Sequence, residues 1–169
     1  TDPADCGPVT LALPQDVQAE AADFPVALFA TRIHRIRRPR PDAEELAAAV
    51  AAIRKAKAPL IVAGGGVHYS LANDALARFA ERHRVPICET QAGKAALAWD
   101  HPWNAGPLGV IGGTAANALA AETDLVLAVG TRLADFATAS MTVFAKPDLR
   151  LVSLNVARSL TDSKNSRSH

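Results

Sequence analysis

The chain has 169 residues, 49% of them hydrophobic and 21% charged, with a net charge of +1, which suits one ordinary globular core. So small a net charge sets up no long-range field for nucleic acid or an anionic membrane. No apolar run approaches the roughly 18 residues that a membrane-crossing helix needs.

Val9 to Leu13 is a short apolar run set between Gly7-Pro8 and Pro14, and it predicts one buried strand. No crossover helix or partner strand precedes it, so it reads as the remnant strand of another domain. The chain opens on Thr1 and its single methionine is Met141, which suggests a piece of a longer protein. No signal peptide is visible. Pro25, Pro39 and Pro41 then flank the basic run Arg32 to Arg38. Proline disfavours helix at and before its own position, so an extended linker is expected. No aromatics interleave with the arginines, which argues against a nucleic-acid arm.

From Asp42 the texture changes. Asp42 suits a helix N-cap, Glu44 and Glu45 suit the first turn, and Arg54, Lys55 and Lys57 suit the last. Leu46, Val50 and Ile53 recur at helical spacing. Leu60 to Ala63 reads as a buried strand, followed by Gly64-Gly65-Gly66. A helix is expected over about Ser70 to His83 with Leu71, Leu76 and Phe79 inward, then a strand over Pro86 to Glu89. Residues 90–112 read as loop. Thr114 starts a helix to about Ala121, Asp124 to Val129 is an apolar strand, and Leu149 to Val156 is another. A polar tail closes the chain.

Apolar strands alternating with helices argue an α/β fold: a three-layer Rossmann-like domain with a mostly parallel sheet covered on both faces. The expected boundaries are 1–24 for the remnant, 25–41 for the linker, 42–157 for the Rossmann-like domain and 158–169 for the tail.

Three constellations have phosphate-friendly chemistry. Gly64, Gly65 and Gly66 lie between a strand and a helix, where backbone amides can approach a phosphate. Tyr69 stands where a third dinucleotide-fingerprint glycine would be, and Glu89 ends the next strand, about where an acid grips a ribose. Gly109, Gly112 and Gly113 run into Thr114 at a helix start, where Thr114 also suits a plain N-cap. Arg132 follows Gly130 past a strand end and suits a bidentate contact to phosphate, or a salt bridge to Asp135. Each constellation also has a bland reading as turn, cap or surface charge. Cys6 and Cys88 lack a CxxC spacing, and the five histidines lack a metal-ligand spacing, so ordinary reduced thiols and no metal site are expected. No nucleophile elbow or P-loop occurs, so no catalytic residue is assigned.

The order of the motifs is more specific than any one of them. Gly7 to Gln18, Leu60 to Gly66, His101-Pro102, Gly109 to Ala121 and Asp124 to Arg132 together resemble thiamine-diphosphate-dependent enzymes. The first resembles the end of their pyrimidine-binding domain, the rest their central domain. Gly112 to Asn117, Gly130 to Phe136 and Asn155 to Ala157 look most like the branch that hydrolyses a ring C–C bond of a cyclic dione in inositol degradation. Acetolactate synthase-like carboligases share the layout, and a stand-alone FAD- or NAD-binding module is the other reading. The resemblance implies a central domain of the DHS-like NAD/FAD-binding type and a cytoplasmic, homo-oligomeric enzyme with a small-molecule substrate. It also implies thiamine diphosphate and Mg2+ in the whole enzyme, held by the pyrimidine and diphosphate domains and not by this chain, which is expected to be inactive alone. Some members bind FAD in the central domain and a few bind ADP; the matching positions here are Gly64, Gly65, Gly66, Gly109, Gly112 and Arg132.

Overall fold

The structure is a computed structural model and describes residue 2 and residues 7–156. Cys6 and the polar tail at 158–169 lie outside the described residues. The chain divides into two compact units, Thr1–Pro39 and Arg40–His169.

In the first unit, a single helical turn α1 (Gln15–Gln18) and a 3-10 turn (Val26–Phe29) interrupt extended chain. The strand expected over Val9 to Leu13 does not form. Those residues pair with no other strand, and Val9, Leu11 and Leu13 are 93%, 78% and 59% exposed. A strand is stabilised by the ladder and the surface it packs on, and the described residues provide neither for this run.

In the second unit, α2 (Ala43–Lys55) starts where expected. The Asp42 carboxylate accepts the amides of Glu44 and Glu45 at 2.8 and 3.2 Å. Its apolar stripe is less buried than the spacing predicts, with Leu46 48% and Val50 37% exposed.

Five parallel strands form the sheet: β1 (Pro59–Ala63), β2 (Ile87–Glu89), β3 (Asn104–Pro107), β4 (Leu125–Val129) and β5 (Arg150–Leu154), in the order β3-β2-β1-β4-β5. Alternation along β1 divides the core. Leu60 and Val62 join Val126, Ala128 and the α5 (Thr114–Glu122) residues Ala116 and Ala120 on one face. Ile61 and Ala63 join Val67, Leu76, Ala80 and Ile87 on the other. Val67 lies in α3 (Gly66–Tyr69), and Leu76 and Ala80 in α4 (Asn73–His83). Leu60, Ile61 and Val62 are at most 1% exposed; burying each such side chain contributes about 1.5–3 kcal/mol.

Three local expectations change. The helix placed over Ser70 to His83 starts only at Asn73, because the chain breaks at Leu71, whose φ is 53°, and the separate turn α3 precedes the break. Leu71 is 77% exposed and not on an inner face. The stretch read as loop holds β3, an edge strand containing Gly106 and Pro107. A proline survives there because an edge strand leaves one side of its ladder unused. The one-turn helix α6 (Asp135–Thr138) follows β4.

Candidate functional site

Strand order reverses direction around β1, so the carboxyl ends of β1 and β4 mark the topological switch point where open α/β sheets bind ligands. Gly64 to Gly66 leave β1, and Gly130 to Arg132 leave β4. The two turns are in direct backbone contact. The Gly64 amide donates to Val129 O and the Gly66 amide to Gly130 O, both at 2.9 Å. A Cβ on Gly66 would stand 2.6 Å from the Gly130 Cα, and one on Gly64 would stand 2.4 Å from the Gly130 carbonyl oxygen. Gly130 itself has φ +58°, the left-handed region that glycine enters freely.

Gly109, Gly112 and Gly113 lie past β3, separated from the first turn by β2. The Asn117 side chain closes this turn by mimicking a backbone strand. Its Oδ1 accepts the Gly109 amide at 3.0 Å, and its Nδ2 donates to the Gly109 carbonyl at 3.1 Å. Gly109 packs against the Phe136 and Ala137 carbonyls, and the Val110 amide donates to Phe136 O at 3.0 Å. The residue capping α5 is Gly113, which supplies no side-chain hydrogen bond; Thr114 is the first helical residue and not the cap. Thr114 and Arg132 are exposed, and Gly112 and Gly113 are partly so. Gly65 and Gly66 are also partly exposed, so of the expected binding residues only Gly64 and Gly109 are buried.

Glu89 is not free for a ribose. It is buried, and its carboxylate accepts the amides of Ala95 at 3.2 Å and Leu97 at 3.0 Å. It thereby shapes the chain between the 3-10 turn Gln91–Gly93 and the core residues Ala96 and Leu97. His68 and Asn73 tie the same segment to the break before α4. His68 Nε2 lies 3.0 Å from Lys94 O, Asn73 Nδ2 lies 3.2 Å from His68 Nδ1, and Asn73 Nδ2 donates to Ala96 O at 3.0 Å. Asn155 Nδ2 donates to Thr131 O at 2.9 Å, joining the ends of β5 and β4. Asn73 is not singled out by the sequence reading, and Asn117 and Asn155 enter it only as members of family motifs, with no structural role. A lone asparagine in a Gly- or Ala-rich stretch is the available signal, and it is a weak one.

At the amino end of the sheet, a groove of about 280 Å³ is lined by Lys57, Arg84, Glu122 and apolar neighbours. That end of an open α/β sheet is not where ligands gather. Among the described residues no group of three His, Cys, Asp or Glu side chains lies together as a metal site would require, and no helix is long and apolar enough to cross a membrane.

A family model described as the thiamine pyrophosphate enzyme central domain matches residues 46–166. Over 158 residues, 94% of this chain and 25% of the relative, the chain is 51% identical to a 3D-(3,5/4)-trihydroxycyclohexane-1,2-dione hydrolase of Clostridium perfringens. It is 50% identical to the protein of the same name from Geobacillus thermodenitrificans over 155 residues, 92% of this chain and 24% of that one. For the Clostridium tetani protein the identity is 47% over 157 residues, 93% and 24% of the two chains. The chain therefore spans about a quarter of the length of the curated relatives it matches.

Proposed function

We propose a function from one premise: the chain belongs to the thiamine pyrophosphate enzyme family, as its central domain. The whole protein that contains it hydrolyses 3D-(3,5/4)-trihydroxycyclohexane-1,2-dione, as its relatives are named to do, and the bond broken is the ring C–C bond that the family resemblance implies. One observation carries this reading. Identity stays near one half over more than nine-tenths of the chain with hydrolases from Clostridium and Geobacillus. The motifs shared with the wider family are short glycine turns, and they alone would not produce that.

The domain's own part is architectural. Thiamine diphosphate supplies carbanion chemistry wherever it is bound. The residues do not favour that cofactor here: among the described residues no three His, Cys, Asp or Glu side chains lie together, and no Gly-Asp-Gly segment occurs in the sequence. Thiamine diphosphate and magnesium are held by other domains of the whole protein, and no catalytic step runs through residues of this chain. The domain offers them a rigid sheet, with Arg132 and the Gly112–Thr114 turn exposed at its carboxyl edge. The reading extends to a cytoplasmic homo-oligomer acting on a small molecule.

The test is expression of the whole protein with thiamine diphosphate and magnesium and a direct assay for opening of the cyclic dione. Turnover that needs both cofactors is the expected result. Acetolactate formed from pyruvate, with no dione hydrolysis, would move the protein to the carboligase branch.

A further inference from the structure

We infer that Gly64, Gly65, Gly66, Gly93 and Gly130 form a backbone joint that locks the carboxyl ends of β2, β1 and β4 together, and that this turn does not cradle a nucleotide diphosphate. The inference concerns packing within the domain and does not depend on the reaction of the whole protein. A failed hydrolase assay leaves it standing.

A diphosphate cradle needs several free amides pointing outward and space for phosphate oxygens beside the backbone. Here the amides are engaged except that of Gly65. Gly64 donates to Val129 O, Gly66 to Gly130 O, Val67 to Gly64 O and His68 to Gly65 O, at 2.9 to 3.1 Å. An ordinary helix start leaves its first four amides without intrahelical partners; at α3, strand β4 and the turn itself take those of Gly66, Val67 and His68. The helix is also only four residues long, so little dipole accumulates at its start.

The space is filled as well, from both sides. On the β4 side, a Cβ on Gly64 would meet Gly130 O at 2.4 Å and Thr131 Cβ at 2.6 Å. A Cβ on Gly130 would meet the Gly66 Cα at 2.5 Å. On the β2 side, a Cβ on Gly93 would meet Ala63 O at 2.1 Å and the Gly64 Cα at 2.9 Å, and one on Gly65 would meet Ala92 at 3.3 Å. Nearly all of these contacts are to backbone or to short, stiff side chains, which cannot swing aside. The missing side chains admit neighbouring strand ends, and that close approach is what these positions need glycine for.

The two roles of glycine separate experimentally. In a cradle, a methyl group blocks the nucleotide and costs the free domain little. In a joint, it lowers stability with no nucleotide present. Thermal unfolding of the 169-residue chain would be followed with and without FAD, and separately ADP, for wild type, Gly65→Ala, Gly66→Ala, Gly130→Ala, the Gly66→Ala/Gly130→Ala pair and Gly113→Ala. A ligand that binds only the folded state raises the melting temperature.

The expected result is no shift that depends on Gly65, and a drop of several degrees for Gly66→Ala and for Gly130→Ala. The double variant should lose less than the sum, because both methyl groups contend for one contact. Gly113→Ala, whose Cβ would meet nothing closer than Pro107 O at 4.0 Å, should melt close to wild type. If Gly66→Ala does not fold, Gly65→Ala carries the nucleotide arm, since its contacts are milder. A shift that survives Gly65→Ala puts the nucleotide elsewhere on the domain and leaves the joint intact. Stabilisation by FAD or ADP that Gly65→Ala abolishes would overturn the inference, and so would a Gly66→Ala protein as stable as wild type.

Discussion

The carboxylate of Asp124 accepts the backbone amide of Lys57 at 2.8 Å, and its second oxygen accepts the amide of Ala58 at 3.0 Å. One side chain thus fixes the chain that enters β1 to the chain that enters β4. Thr123 reinforces the link by donating to Ala58 O at 2.7 Å, and the Asp124 carbonyl accepts the amide of Arg150 at the start of β5 at 3.1 Å. The acidic residue opening the Asp-Leu-Val-Leu motif has a structural task at the end of the sheet remote from the switch point.

This geometry gives a pH signature. The amides of Lys57 and then Ala58 hold the Asp124 carboxyl below its ordinary value of 3.8, with a smaller contribution from the Arg150 charge. A carboxylate favoured in the folded state stabilises the fold above its unfolded pKa, and that stability disappears as pH falls through the folded value. Asp124→Asn is therefore expected to be less stable than wild type at neutral pH, with the difference narrowing below about pH 4. Urea midpoints between pH 3 and 7 measure it. A constant gap across that range would mean that the charge on Asp124 is irrelevant.

Glu89 makes the second prediction. Glu89→Ala removes the acceptor for Ala95 and Leu97, and the Leu97 amide is left buried without a partner. Leaving a buried donor unsatisfied costs about 1–3 kcal/mol. Glu89→Gln keeps one acceptor oxygen and should lose less. Denaturant unfolding of both variants measures the difference, and an Ala variant as stable as wild type would return Glu89 to the pool of residues free for a ligand.

The strands β1, β2, β4 and β5 are legible in the sequence because each is a short apolar run next to a turn signal. β3 is not: Asn104, Gly106 and Pro107 carry loop chemistry, and only its place beside β2 makes it a strand. Leu71 falls at an apparently helical position, but its backbone turns left-handed and its side chain faces solvent. The glycine turns are legible as turns. Whether a missing Cβ admits a phosphate or another backbone is decided by what lies opposite. For Gly66 that neighbour is Gly130, distant in sequence and adjacent only once β4 has paired with β1.

Cys88 gives the third prediction. Burial, with the Glu89 charge adding to it, pushes its thiol up from 9.0 to about 12. The thiolate is the reactive form, so a maleimide at pH 8 should label Cys88 only as fast as the domain opens. Peptide mass spectrometry distinguishes it from Cys6. A raised folded pKa keeps its stabilising contribution below the unfolded value and loses it as pH rises from about 9 toward about 12. Cys88→Ala should accordingly be less sensitive to alkali than wild type. Rapid labelling of Cys88 in the native protein would contradict the burial.

The last prediction concerns how protection is distributed across the sheet. Among the described residues β1 and β4 are paired on both sides, whereas β5 is paired only with β4 and β3 only with β2. Amides in doubly paired, buried strands open with free energies near that of global unfolding, and edge strands open by local fraying. Hydrogen exchange should therefore be slowest in Ile61 to Ala63 and Val126 to Ala128 and faster in β5, where Leu154 is 46% exposed. Val9 to Leu13, with no ladder at all, should exchange fastest of the three. An exposed strand edge is also a template for another chain, so protection of β5 should rise with protein concentration if copies meet there, with a matching increase in size by light scattering. Protection of Val9 to Leu13 equal to that of β4 would mean that this run finds a partner strand after all, and its alternation of Val9, Leu11 and Leu13 would then be the pattern of a half-buried strand.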